Sequence, residues 1–280
     1  MTQRPTSSVG GAQSHDEFSV SPVALFVATR WELAAVRRAL PVDRRVEIEG
    51  VSCFIGQQGD RSYWLVHSGI GPEAANAAAN AVLTRQPMAL AISTGFAGAL
   101  VPAAIGDVIV GNSVSSGWFD GAWNEIAHPI FCDAVVVSAV RSAVAQIGMT
   151  DHIGSVISMS RVIYRASEKQ MISRLTGAVA LDMESAALGT VAMERGIPFV
   201  VFRTVSDLVG EDLPLDFNLF LRPAGWVRGL GSLLSHPSSL IGLNRLRRQS
   251  RLAADRLAAV CFAYAGGGFG LLPVREAGRT

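Results

Sequence analysis

Glu184 and Asp207 stand 23 residues apart in a stretch that reads Ala180-Leu181-Asp182-Met183-Glu184-Ser185-Ala186-Ala187, then Gly196-Ile197-Pro198-Phe199, then Arg203-Thr204-Val205-Ser206-Asp207. The spacing fits one helix plus one strand, with Glu184 in the first turn of the helix and Asp207 just past a buried strand. One acid so placed can grip a sugar by its hydroxyls while the other protonates a leaving base. Breaking the bond between such a sugar and its base builds positive charge on the sugar and negative charge on the base. It therefore needs a general acid near the base, a nucleophile on the opposite face of the anomeric carbon, and a hold on the hydroxyls. Taken singly, a first-turn glutamate offsets the helix dipole and a Ser-Asp pair turns or caps the chain. Asp182 reads as the cap of the helix that carries Glu184, and Met183 alone as core packing.

The elements that position these groups alternate along the chain. Val23–Thr29 is a continuous apolar run, as in a strand covered on both faces. A helix from about Trp31 to Leu40 follows and stops at Pro41. Val46–Ile55 and Tyr63–Val66 read as hairpin-like strands, with Gly50 and Gly59-Asp60 as turns. Ser68-Gly69-Ile70-Gly71-Pro72 is a glycine turn opening a small-residue helix to about Leu83. Ala89–Thr94 is a strand ending in the glycine turn Gly95-Phe96-Ala97-Gly98, and Gly106–Val110 begins the next. Asp133–Ile147 is helical, Ile153–Ser158 extended, Glu168–Leu175 a short helix and Ala178–Leu181 a strand. Met183–Arg195 is a helix closed by Gly196, and Pro198–Val205 a central buried strand. Such alternation makes a layered α/β domain. Trp226–Leu234 and Leu240–Phe262 read as further helices, separated by His236-Pro237.

Composition sets the outer bounds. In 280 residues the hydrophobic fraction is 49% and the charged fraction 17%, enough to bury a large core. Net charge is +1, yet residues from Arg222 onward carry nine arginines against Asp255 and Glu276, which leaves the preceding 221 residues at −6. Lys169 is the only lysine, an arginine bias that reads as genome composition. Cys53, Cys132 and Cys261 are far apart and odd in number, which argues against a disulfide framework or a zinc site and fits a reducing cytoplasm. Gln86–Gly106 carries no charge, but Pro87, Gly95, Gly98 and Pro102 make it a buried strand and connection rather than a membrane span. No Walker-type loop or G-x-G-x-x-G element occurs, so neither ATP nor NAD is expected. The domain reading is a disordered leader (1–20), an α/β domain (21–221), a basic helical extension (222–265) and a flexible tail (266–280).

From about Val23 to Asp207, and most strongly from Thr176 onward, the chain resembles the superfamily of purine nucleoside phosphorylases and methylthioadenosine/adenosylhomocysteine nucleosidases. There the motif reads DMES-A, G-x-P-F and R-x-(I/V)-S-D. The resemblance implies a layered α/β/α single domain with a mixed central β-sheet flanked by helices, plus a C-terminal helical extension. It implies Asp207 as proton donor to the purine, Glu184 as clamp on the ribose 2′- and 3′-hydroxyls, and Met183 packing against the sugar. Glu32, after Ala28-Thr29-Arg30-Trp31, stands where hydrolytic members activate water. Phosphorylases offer an arginine to phosphate from the same loop, and this chain has both Arg30 and Glu32. Thr94, Gly95, Phe96, Ser206 and Gly69 complete the expected substrate contacts, although many members carry Ser or Thr where this chain has Phe96.

Within the superfamily, the hopanoid-associated phosphorylases, proposed to remove adenine from adenosylhopane, are similar in the Glu168-Lys169 helix, in Thr176-Gly177-Ala178 leading into Asp182-Met183-Glu184-Ser185, and in the arginine-rich C-terminus. The expectation is phosphorolysis of an adenine nucleoside bearing a large apolar 5′ group, with inorganic phosphate as co-substrate and no metal or organic cofactor. The alternatives are a hydrolytic nucleosidase of the methylthioadenosine/adenosylhomocysteine or futalosine type, and a catalytically silent nucleoside-binding or membrane-scaffold protein. A homo-oligomer is expected, no nucleic acid, and a cytoplasmic location. The basic C-terminal helix either lies on an anionic membrane surface, peripheral to the inner membrane, or packs on its own domain or a partner subunit.

Overall fold

The computed structural model describes residues 21–119, 123–125, 128–214 and 238–269. The expected leader, the Trp226–Leu234 helix and the chain beyond 269 lie outside them. Among the described residues, eleven strands form one mixed sheet. Its middle is β1 (Val23–Val27), whose five residues are all buried because it is parallel to a neighbour on each side and covered on both faces. On one side follow β4 (Arg61–His67), β3 (Val51–Gln58) and β2 (Arg44–Ile48), an antiparallel meander. On the other lie β5 (Leu90–Ala99), β11 (Phe199–Asp207), β6 (Val108–Phe119), β9 (Asp151–Met159) and β10 (Ala180–Asp182). The short β7 (Trp123–Glu125) and β8 (Ile130–Phe131) pair along β6. β10 pairs with β9 and also antiparallel with the end of β5, so β5, β11, β6, β9 and β10 close on themselves.

That closure corrects one expectation. Gly95-Phe96-Ala97-Gly98 is not a turn after the strand: β5 continues to Ala99, because β11 and β10 supply ladder partners through Gly98 and Ala99. Two glycines in four residues look like a turn only when those partners are unseen.

Helices cover both faces. α2 (Pro72–Arg85) and α5 (Ser185–Glu194) pack together on one face. α1 (Arg30–Ala39), α3 (Ala134–Gln146) and α6 (Ser238–Gly266) form the other layer, with α4 (Ala166–Thr176) toward β7. α5 begins at Ser185 rather than Met183, so Glu184 is its N-cap residue and not part of its first turn. The expected C-terminal helix, α6, docks on the domain. Its Leu257, Val260, Cys261 and Tyr264 belong to the same buried core as β1 and β11, and Tyr264 packs edge-on against Phe202 with ring centroids 5.9 Å apart. Of the readings left open for this helix, packing on its own domain is the one observed. None of the described helices is long and apolar enough to cross a membrane.

Candidate active site

Open α/β sheets place their ligands beyond the carboxyl ends of their strands. Here the ends of β1, β4, β5, β10 and β11 bring together Glu32, the Ser68–Gly71 turn, Gly95–Gly98, Met183-Glu184 and Arg203–Asp207.

Glu32 enters through a capping box. The Thr29 hydroxyl accepts the Glu32 N–H at 3.2 Å while the glutamate reaches back. Its Oε2 accepts from the Ala28 and Thr29 N–H groups at 3.0 and 2.7 Å and from the Thr29 hydroxyl at 2.9 Å. Among the described residues, its Oε1 accepts only the Phe96 N–H, at 2.7 Å. A capping glutamate usually sits in water, but this one is 3% exposed. Gly95 makes that possible: a Cβ there would fall 2.3 Å from Glu32 Oε1 and 3.1 Å from Arg203 Nη1. The glycine's missing side chain is thus replaced by the protein's own carboxylate, and the Phe96 N–H expected to face a phosphate or ribose is already bonded.

Arg203 is the hub, and it was quoted in the sequence motif without a role. Its Nε pairs with Asp182 Oδ2 at 2.6 Å and its Nη2 reaches Glu184 Oε2 at 3.5 Å. Nη1 donates to Phe96 O at 3.0 Å, and Nη2 to the Ser93 hydroxyl at 2.9 Å and to Ser185 Oγ at 3.2 Å. Burial works against the guanidinium charge, yet Asp182, Glu184 and Glu32 together push its pKa above the ordinary arginine range. Asp182 does cap α5, accepting the Glu184 and Ser185 N–H groups at 3.3 Å each, but it is also this arginine's main counter-charge.

Glu184 accepts the Gly71 N–H at 2.9 Å, which ties β4's glycine turn over the α5 N-terminus. Burial above all, with Asp182 and Glu32 adding to it, pushes its carboxyl up to about 7 against the opposing pull of Arg203 and the Gly71 N–H. Met183 is half-buried beside the same turn, its Cε 4.0 Å from where a Gly71 Cβ would stand, and Gly69 lies in that turn at φ +83°.

Asp207 follows a β-bulge: Val205 pairs with Ala97 and Asp207 with Gly98, leaving Ser206 as the extra residue. Bulges re-aim side chains beside functional sites. Gly98 must stay small here, because a Cβ would meet Asp207 Oδ1 at 3.0 Å. The Ser206 hydroxyl lies 3.0 Å from Asp207 Oδ2 and 3.3 Å from Ala97 O. Asp207 Oδ1 is ion-paired with the ammonium of Lys169, which is fully buried on α4.

Two expected contacts are not brought in. Arg30 is exposed, lining a groove with Trp31, Ala34, Arg38, Arg251 and Asp255 between α1 and α6, apart from the carboxylates. Thr94 sits on the opposite face of β5. It is buried, among the described residues its hydroxyl has no well-aligned hydrogen-bond partner, and it faces the Cys261 thiol of α6. Strand alternation gives the site to its neighbour Ser93, bonded to Arg203 and, at 2.8 Å, to Ser185. Among the described residues, no cluster of three or more His, Cys, Asp or Glu could hold a metal ion.

The chain is similar to known proteins. The model of the phosphorylase superfamily matches residues 22–223. The 5′-methylthioadenosine/S-adenosylhomocysteine nucleosidase of Shewanella halifaxensis is 27% identical over 214 residues, covering 72% of this chain and 93% of the relative. Its counterpart in Shewanella loihica is 28% identical over 227 residues, covering 76% and 99%. The fold is similar to that of the nucleosidase of the same name from Neisseria meningitidis, with a TM-score of 0.66 at 20% identity, covering 87% of this chain and 99% of that one. It is likewise similar to futalosine hydrolase of Helicobacter pylori, with a TM-score of 0.66 at 16% identity and coverage of 86% and 97%. The chain belongs to the phosphorylase superfamily and is an enzyme of its nucleoside phosphorylase/nucleosidase kind.

Proposed function

We propose that this member of the phosphorylase superfamily hydrolyses the N-glycosidic bond of a purine nucleoside, with adenine as the leaving base and water as the nucleophile. The observation that carries the reading is the Glu32 carboxylate in the space Gly95 leaves open, beside Arg203 and within the field of Glu184. A carboxylate carries about four acceptor positions. Oε2 is saturated by three donors, while among the described residues Oε1 holds only the Phe96 N–H and keeps capacity for a water proton. A phosphate in the same place would meet this anion and find the Phe96 N–H occupied, while Arg30 lies on another face. Phosphorolysis therefore loses both of its expected ligands.

The proposed sequence balances. Glu184 accepts hydrogen bonds from the ribose hydroxyls while Met183 packs on the sugar. Asp207 gives its proton to the purine as the bond to the anomeric carbon lengthens and the ribose takes on oxocarbenium character. Glu32 takes a proton from the attacking water, whose oxygen bonds to that carbon. Solvent then returns a proton from Glu32 to Asp207.

The relatives' names support a 5′-thio-substituted adenine nucleoside as substrate. An adenosylhopane-type 5′ group has less support, since much of α6's apolar stripe is spent on the core rather than left for a membrane. A homo-oligomer would cover Phe131 and Val135, which stand 78% and 61% exposed where β8 meets α3.

Adenine release from 5′-methylthioadenosine, followed by chromatography with and without phosphate, tests the reading. Equal release with 5-methylthioribose as product is expected. A strict phosphate requirement with a sugar-1-phosphate product would overturn hydrolysis, and binding without release would favour a silent binder.

A further inference from the structure

The chain's only lysine is not a surface residue. Lys169 is completely buried on α4, and its Nζ donates to Asp207 Oδ1, to Leu208 O at 3.0 Å and to Glu211 O at 3.2 Å. Three acceptors require three N–H bonds, so the group is an ammonium, and a buried ammonium is tolerated only with a counter-charge. Asp207 is that counter-charge. The pairing is one-sided: Oδ1 is held by the ammonium, while among the described residues Oδ2 has only the Ser206 hydroxyl at 3.0 Å, and the Asp207 side chain remains 14% exposed. A lysine needed only to tie the 208–211 loop would be served by the two carbonyls. Its third bond instead fixes the residue that follows the bulge.

We propose that Lys169 is a positioning residue for the proton donor: its ammonium holds Oδ1 of Asp207, so that the proton Asp207 takes up before reaction is carried on Oδ2, and the carboxylate released as the base departs restores the ion pair. The proposal rests on Asp207 being the proton donor. The proton moves from Oδ2 to the purine nitrogen, the electron pair of the glycosidic bond goes to the base, and Lys169 keeps all three of its protons throughout.

The test uses two substrates that differ in their need for an acid, 5′-methylthioadenosine and 4-nitrophenyl 5-methylthio-β-D-ribofuranoside, since nitrophenolate leaves without a proton. General acids contribute about 10²–10⁴-fold, so Lys169→Met should lower kcat for the adenine nucleoside by about 100-fold or more, with KM little changed. Turnover of the nitrophenyl riboside should stay within about fivefold, because that step does not call on the acid. Asp207→Asn should show the same split, and the double variant should be no slower than Asp207→Asn alone, as for residues that act through one group. Equal losses on both substrates, or a double variant slower by the product of the two single losses, would reduce Lys169 to a structural role. A missing split in Asp207→Asn itself would instead remove the acid reading, independently of Lys169. Should Lys169→Met fail to fold, Lys169→Arg keeps the charge but moves the bond to Oδ1. It should slow adenine release selectively, and a proportional fall on both substrates overturns the proposal.

Discussion

The two faces of β5 and β11 differ sharply although they belong to the same strands. Toward α5 stand Ser93 and Arg203, joined to Asp182, Glu184 and Ser185 in a buried charged network that reaches Glu32. Toward α6 stand Thr94, Phe202 and Thr204, packed on Cys261, Tyr264 and Ala253 in a largely apolar layer that the Thr204 hydroxyl crosses with a hydrogen bond to Ala253 O at 3.0 Å. The period of two along a strand thus separates chemistry from stability residue by residue. Partners on the first face matter for reaction and charge balance, and volume on the second matters for the fold.

The contrast can be broken most directly at its ends. Asp207→Asn should lower kcat of the folded protein for adenine release by about 10²–10⁴-fold; its melting curve should also shift down, because the buried Lys169 ammonium loses its counter-charge, and an undiminished kcat would remove the acid role. Arg203→Met strips the counter-charge from Asp182 and Glu184 and should cost about 3–5 kcal/mol in denaturant unfolding as well as activity. On the other face Leu257→Ala should cost about 2–5 kcal/mol while leaving kcat/KM of the folded fraction untouched.

Glu184 gives a finer test. Its carboxylate must be ionised to accept ribose hydroxyls, so kcat/KM should fall as pH drops below about 7, and Glu184→Gln should lose that limb along with most activity. The same group acts on stability with the opposite preference. The folded protein binds this proton more tightly than the unfolded chain, so its contribution is greatest below the ordinary value of 4.5 and is lost as pH rises to about 7. Thermal melts of wild type against Glu184→Gln should diverge across that window. The smallest effect belongs to Thr94→Val, expected to leave kcat/KM unaltered; a clear kinetic loss would return Thr94 to the site.

Much of this division was legible in the sequence, though not all. The 180–207 motif delivered a strand, a helix and a strand with Glu184 and Asp207 at their junctions, because those junctions have local signals: an aspartate cap, a helix-ending glycine and an apolar run. Arg203 had a signal that went unused. A lone charge inside Phe199–Val205 has to find a buried partner. Lys169 had none, since its partner lies 38 residues on and no local pattern encodes that meeting. Thr94 stands among the expected contacts although Ser93 faces the site, since alternation says that neighbours face opposite ways without saying which way faces the ligand. The stripe on α6 likewise marked an apolar face but not the surface it covers.

The last of these has a consequence for biosynthesis. The strand bearing Arg203 and Asp207 leaves the ribosome before α6, the helix that shields its reverse face, and Glu211 of the loop behind Asp207 takes its side-chain partners, Arg245 and Gln249, from that helix. A nascent chain that has completed β11 therefore holds every side chain proposed for the reaction yet leaves Phe202 and Val200 uncovered until α6 emerges. The core is therefore complete only once α6 docks, and chains cut short before α6 should lose stability rather than keep partial activity.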